Sequence, residues 1–258
     1  MKKYLMVLFC VAMMATVCTQ ESEPTTYTVE RTETRTWHTS EVVDISTATV
    51  NGNITVAALQ DTLVTAEITR RCTGSDSADA EAHIDSITIS ESNIEGHLNL
   101  DADMPDSPDY NYEAEFDITT PQSKYLDMTT VNGNVMIQDM IDGARVVVTN
   151  GGIATADLRG GIDGVIVNGA INCDMEALQV GESALLATTN GAVNLLLPVD
   201  VSATFNAATT NGEVVVTGFA AVTYTIDELN HKAGTIGGGG GGTIDIAVVN
   251  GDITIQAR

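Results

Sequence analysis

The chain has 258 residues, 43% of them hydrophobic, and sets 35 Asp and Glu against 11 Lys and Arg for a formal charge of −24. A field of that sign repels phosphate backbones and anionic headgroups, which argues against a nucleic-acid-binding protein. The acidic residues are spread through the chain, where they serve solubility first, and the length is ample for a sizeable core.

Lys2 and Lys3 precede an apolar run from Leu5 to Val17, the layout of a secretory signal and too short for an ordinary membrane span. The run ends in "ATVC", and Cys18 is followed by the polar "TQESEPTT". This junction resembles the lipobox and tether of bacterial lipoproteins, which implies that Cys18 carries the lipid. Ala15 and Val17 depart from the residues that motif prefers, so an ordinary signal peptide cut nearby is the alternative. Without residues 1–17, nine basic residues face 35 acidic ones, a formal charge of −26. The expected division is a signal peptide over 1–17, a polar tether and capping strand over 18–36, and a single β-strand repeat domain over 37–258 with irregular coils at 57–128.

Thr25 to Thr36 alternates like an edge or capping strand, with the lone Trp37 just after it. A short phrase then appears as "ATVNGNITV" and returns as "TTVNGNVMI", "VVTNGGIAT", "VIVNGAINC", "ATTNGAVNL", "ATTNGEVVV" and finally "AVVNGDITI". Its seven Asn-Gly pairs are Asn51-Gly52, Asn132-Gly133, Asn150-Gly151, Asn168-Gly169, Asn190-Gly191, Asn211-Gly212 and Asn250-Gly251. The residue before each Asn is Val or Thr, and the third residue after it is Ile or Val: Ile54, Val135, Ile153, Ile171, Val193, Val214 and Ile253. Two positions further on the residue is apolar except at Thr155.

Apolar and polar residues alternate with the period of a strand that buries one face, and Asn-Gly is a strong turn signal because both residues accept positive φ. Each copy therefore reads as a turn and a strand. Five successive Asn residues lie 18, 18, 22 and 21 apart, a spacing typical of repeat architectures. The expected class is all-β: a parallel β-solenoid with two-turn coils of about 18–22 residues, stacked in chain order so that the Ile and Val series forms one inward column and the asparagines bond up a ladder. An antiparallel meander or sandwich fits the spacing as well.

Between the first and second copies the repeat lapses. "DSITISES", "GHLNLDAD" and "YEAEFDIT" still alternate like strands, while "TGSDSADAE" and "DMPDSPDYN" read as surface loops, and helix signals are nearly absent. Ala221 to Asp227 reads as one more strand. The glycines from Gly237 to Gly242 fit either a linker or a corner where backbones approach closely. No Lys-Ser/Thr follows them, so they are no phosphate loop.

Little in the sequence suggests chemistry. Cys72 and Cys173 could pair in an oxidising compartment, but Cys173 falls in the inward column, where a thiol acts as a small hydrophobe. "EAHID" places Glu81, His83 and Asp85 on one face of an expected strand, a metal trio in outline, although charged strand faces are usually just solvated. Asp101, Asp103, Asp106 and Asp109 lack the Gly and Glu of a calcium loop. Paired carboxylates for glycoside hydrolysis are available, yet the closely spaced repeats offer only Arg145 and Arg159 to hold an acidic sugar. No catalytic residue, cofactor or metal is expected.

The phrase "TTVNGNV", the spacing of the later copies and the ending "KAGTIGGGGGGTIDIAVVNGDITI" resemble the bacterial "putative adhesin" family of β-strand repeat proteins, a domain of unknown function in exported and envelope proteins. The resemblance covers about Val42 to Arg258 and implies a right-handed β-solenoid-like fold with no catalytic residues to carry over. The expected function is a non-enzymatic exported cell-envelope protein, adhesin-like or a scaffold, held to a membrane through the N-terminal lipid, with a protein or glycan partner left open. The rival readings are a polysaccharide-active β-helix enzyme, a self-assembling structural envelope protein, and secretion without a lipid.

Overall fold

A computed structural model describes residues 26–59 and 62–258. The signal segment and the expected lipid site at Cys18 lie outside the described residues. In chain order, β1 (Tyr27–His38) and a 3₁₀ turn at Thr39–Glu41 lead into β2 (Asp44–Asn51) and β3 (Ile54–Ala58). Then come β4 (Leu63–Gly74), helix α1 (Ser77–His83), β5 (Thr88–Ile94), β6 (His97–Asp103) and β7 (Asn111–Thr120). The close repeats supply β8 (Tyr125–Gln138), β9 (Ala144–Leu158), β10 (Ile162–Asn168), β11 (Ile171–Met175), β12 (Ser183–Asn190), β13 (Val193–Leu197), β14 (Ala203–Asn211) and β15 (Val214–Thr217). The chain closes through β16 (Val222–Asp227), β17 (His231–Ile236), β18 (Gly242–Asn250) and β19 (Ile253–Ala257).

Strands before the Asn-Gly steps form one layer and strands after them form the other. The first layer runs β5-β6-β2-β8-β9-β10-β12-β18-β14-β17-β16. The second runs β1-β4-β7-β3-β8-β9-β11-β13-β19-β15. β8 and β9 pass through the corner unbroken and belong to both layers. Every neighbour between β6 and β14, and between β7 and β15, is parallel; antiparallel pairs occur only at the two ends. The protein is thus all-β and solenoid-like, and the meander reading is overturned for its middle. Parallel strands bury both layers against one core, which is why each copy repeats its apolar positions.

That core holds the column Ile54, Val135, Ile153, Ile171, Val193, Ile253 and Val214, all buried and paired position for position. The exception in the repeat has a physical reason. Pairing of β9 with β11 slips between Cys173 and Met175, and the Thr155 hydroxyl accepts the Asp174 N–H at 3.0 Å while donating to the Asp174 carbonyl at 3.1 Å. A hydroxyl there serves backbone groups that a leucine or valine would leave unpaired.

The Asn-Gly step is not the turn the sequence suggests. No asparagine has positive φ among the described residues. Instead the glycines stack: at Gly169, with φ +143°, an added Cβ would lie 1.7 Å from the Gly151 carbonyl oxygen. Glycine is required because neighbouring coils touch backbone to backbone, not because the chain reverses tightly. Beneath the stack, buried threonines cap the carbonyls of these glycines, Thr130 to Gly52 at 3.1 Å, Thr188 to Gly169 at 3.2 Å and Thr209 to Gly251 at 2.8 Å.

Two further expectations are corrected. The copies do not stack in chain order, because β18 and β19 of the seventh copy sit between the fifth and the sixth. β17 runs antiparallel along one side of β14, and the chain then crosses the start of β14 to lay β18 on its other side, so Ala203 pairs with both Ile236 and Gly242. The glycine run makes that crossing. A Cβ on Gly241 would meet the Ser202 carbonyl oxygen at 1.7 Å, which decides for the corner and against the linker. Residues 77–83, expected as a loop running into a strand, form α1. Asp76 caps it by accepting the Asp79 N–H at 2.8 Å, and Ala80 is buried within it. Asp at the cap followed by Ala and Glu is a helix start that outweighs the loop signal of the surrounding Ser and Asp.

Candidate functional site

The most regular surface feature is the asparagine ladder. Each rung donates its side-chain amide to the next rung's side-chain oxygen: Asn211 to Asn250 at 2.8 Å, Asn250 to Asn190 at 2.8 Å, Asn190 to Asn168 at 2.8 Å, Asn168 to Asn150 at 2.9 Å, Asn150 to Asn132 at 2.9 Å and Asn132 to Asn51 at 2.7 Å. The chain of bonds ends where Asn51 donates to the Tyr112 carbonyl at 3.1 Å. All seven Asn-Gly steps predicted from the sequence thus stand in one column, with Gly52, Gly133, Gly151, Gly169, Gly191, Gly251 and Gly212 stacked beside the asparagines. Bonds that run one way polarise one another, so the ladder ties the coils together beyond the sum of its rungs.

On the outer face of the second layer, β11, β13 and β19 form a shallow groove of about 380 Å³ lined by Asn172, Asp174, Asn194, Leu196, Thr254 and Gln256. Asn194 donates to Asn172 at 2.9 Å, a short second ladder. Burial pushes the Asp174 carboxyl up, and Arg258, with Nε 3.2 Å from Asp174 Oδ1, partly opposes this. The same Arg258 donates to Asp157 at 2.6 Å. One guanidinium therefore holds two carboxylates in the manner of a structural clamp, and the groove offers amides, a hydroxyl and a small apolar floor. Such a surface hydrogen-bonds; Thr155 and Cys173 also border it, but Thr155 is engaged with the Asp174 backbone and the buried Cys173 thiol is pushed up to about 12, the opposite of an activated nucleophile.

Every described cation has a partner, although the buried Arg70 Nε itself has none. Each of the nine described Lys and Arg side chains donates to a carboxylate or a carbonyl, including Arg145 to Asp127 at 3.1 Å and Arg159 to Glu176 at 2.6 Å. The two arginines considered for acidic sugars are therefore committed. Glu81, His83 and Asp85 do not share a strand face. They lie on and just after α1, where Glu81 and Asp85 both hold Arg31, while the His83 ring stacks on Tyr110 with centroids 4.1 Å apart. Tyr110 donates to Asp79 at 2.8 Å; that bond pushes the tyrosine up to about 12 and lowers the aspartate. Among the described residues no group of three His, Cys, Asp or Glu side chains is placed to hold a metal. Cys72 and Cys173 are separate, buried free thiols, and burial pushes the Cys173 thiol up to about 12. The sequence reading missed the Thr cap beneath the glycines, although "TTVNG" and "ATTNG" carry its signal two residues before the asparagine.

A two-layered parallel stack with a side-chain ladder at its corner defines an all-β, solenoid-like repeat protein. The chain belongs to the Toastrack family DUF4097, whose profile matches residues 24–256. It shares its fold with a "putative cell adhesion protein" from Clostridium sporogenes, at a TM-score of 0.53 and 10% identity over 89% of this chain and 100% of that one. It is also similar to a "putative adhesin" from Bacteroides fragilis, with TM-score 0.36, 12% identity and coverage of 88% and 97%. A "putative adhesin" from Parabacteroides merdae matches at TM-score 0.33 and 10% identity, with coverage of 87% and 96%. No curated protein matches the chain. Among the described residues no helix is long and apolar enough to cross a membrane.

Proposed function

We propose that the protein is a non-enzymatic, exported envelope component whose single repeat domain, over residues 37–258 and wound right-handed as the family resemblance implies, acts as an adhesin-like scaffold. The observation that carries this reading is the division of labour within each copy. The repeated positions all serve the stack, as column, ladder, glycine contact or threonine cap, and the outward positions between them vary freely from coil to coil. Variable outer faces on a constant frame suit recognition by surface side chains more than turnover in a pocket. The name of the similar solved chain from Clostridium sporogenes points the same way. Attachment through a lipid on Cys18 completes the proposal.

The direct test screens the purified domain against acidic and neutral glycans for reducing-end or unsaturated products, alongside a deletion strain scored for attachment and envelope integrity. No turnover with altered attachment is expected. Reproducible turnover, lost on changing converging Asp or Glu residues, would replace the scaffold with a polysaccharide-active enzyme. For the anchor, Cys18→Ala should abolish incorporation of labelled fatty acid and release the protein from a salt-washed membrane fraction. Release of the unlabelled wild type by salt would leave secretion.

A further inference from the structure

Seven Asn-Gly steps are seven places where this chain could modify itself. In such a step the glycine nitrogen attacks the asparagine side-chain carbonyl carbon and loses its proton to water. The adduct then expels ammonia, leaving a five-membered succinimide. One water opens that ring at either carbonyl, to aspartate or to isoaspartate, and nothing but water is consumed. Two arrangements oppose the attack: a side-chain amide tied on both sides, and a glycine N–H committed to an acceptor, because the nitrogen must give up its proton and swing toward the side chain.

The stack ties the side-chain amide on both sides at six steps. At four of them the glycine N–H is committed to a carbonyl partner, while the other two glycines lie within paired strands; the seventh step has neither arrangement in full. From Asn250 to Asn132 every rung donates and accepts, and Asn51 accepts from Asn132 while donating to Tyr112. Asn211 only donates: among the described residues nothing bonds to its side-chain oxygen. The glycines divide in the same way. The N–H groups of Gly52, Gly169, Gly191 and Gly251 donate to the asparagine carbonyl of the adjacent coil at 2.8–2.9 Å, and Gly133 and Gly151 lie inside the paired strands β8 and β9. Gly212 closes the parallel stack, so no further coil offers its N–H a carbonyl, and none accepts it among the described residues. The end cap brackets this corner without covering it. Asn230 accepts the Thr209 N–H and Leu229 accepts the Val214 N–H, each at 2.9 Å, whereas Asn211 and Gly212 are both exposed.

From this geometry we infer that Asn211 is a selective site of non-enzymatic deamidation, with the other six Asn-Gly steps protected by the stack. The product is disruptive at that position. A carboxylate at 211 would face the Asn250 side-chain oxygen now 2.8 Å from the Asn211 amide, next to Asp252, whose carboxylate already accepts the Glu213 N–H. The last rung is lost and like charges gather, while isoaspartate also lengthens the backbone between β14 and β15 and shifts their register. Modification therefore loosens the terminal coil first.

The test incubates the folded wild-type protein at mildly alkaline pH and 37 °C and maps peptides by mass spectrometry after cleavage at Glu and aromatic residues. Asn211 should convert roughly tenfold or more faster than any other Asn-Gly step, the effect of about one missing hydrogen bond or more on the barrier. In urea all seven should converge to similar rates. Equal rates in the folded protein, a faster step elsewhere, or no conversion at Asn211 over a period in which the unfolded chain converts would each overturn the inference. Asn211→Asp, which mimics one product, should lower the urea midpoint and raise hydrogen exchange in β14 and β15; an unchanged exchange pattern would refute the predicted consequence.

Discussion

Replacing Gly169 by alanine tests whether the Asn-Gly step is a backbone contact or a turn. The new Cβ would stand 1.7 Å from the Gly151 carbonyl oxygen, where 3.0 Å is the practical minimum, so the two coils must part by roughly 1.3 Å. That movement stretches the Asn168 to Asn150 rung, now 2.9 Å, beyond bonding range and disturbs the Gly169 N–H bond to Asn190 at 2.8 Å. Two weakened hydrogen bonds at about 1 kcal/mol each, with roughly another 1–2 kcal/mol for forcing a side chain to φ +143°, give about 3–4 kcal/mol. The control is Gly181→Ala, where φ is +88° but nothing lies within 4 Å of the added carbon, and only the roughly 1–2 kcal/mol of backbone strain applies. Urea unfolding followed by far-UV circular dichroism compares the midpoints of the two variants at a common slope. If Gly169→Ala costs no more than Gly181→Ala, the glycines serve backbone freedom alone and the stacking argument is wrong.

Ile171→Asp places a charge in the fully buried column between Ile153 and Val193 and should cost about 3 kcal/mol or more, while Asn172→Asp, exposed and only accepting from Asn194 at that oxygen, should stay within about 0.5 kcal/mol; similar midpoints for both would place the wrong face inward. Tyr110 is held near 12 by its bond to Asp79, so this contact stabilises the fold below the ordinary tyrosine value of about 10 and is lost as pH rises through about 12. Asp79→Ala should bring one tyrosine back toward about 10 in a spectrophotometric titration, and superimposable curves would show that the bond does not form. In acid the sign reverses for the partner: Asp79 and Asp85 are both lowered, so their contributions are present above the ordinary aspartate range and fade as pH falls through the lowered values. Hydrogen exchange in α1 and β1 should therefore rise in acid before exchange in β10–β13 does, and simultaneous loss would contradict this.

Much of the architecture was legible in the residues themselves because in-register parallel stacking is a local rule. A coil that offers Ile or Val three places after its asparagine matches any other coil that does the same, so the column, the ladder and the strand class follow from the repeated phrase without knowledge of the path. The same sameness hides the order. β18 presents the same face to β12 and β14 that β14 could have presented to β12, and only the return of β17 along β14 and the glycine crossing over Ser202 decide that the seventh copy enters between the fifth and sixth. Helix α1 was hidden for the opposite reason, since Asp76 and its neighbours fit a loop as well as a cap until Ala80 finds a core to bury against. The exposed end of the ladder at Asn211 and the clamp of Arg258 across Asp157 and Asp174 depend on which coil happens to be last and which strands happen to adjoin. Those are facts of chain path, set by packing between segments far apart in sequence, and the seven near-identical phrases carry no trace of them.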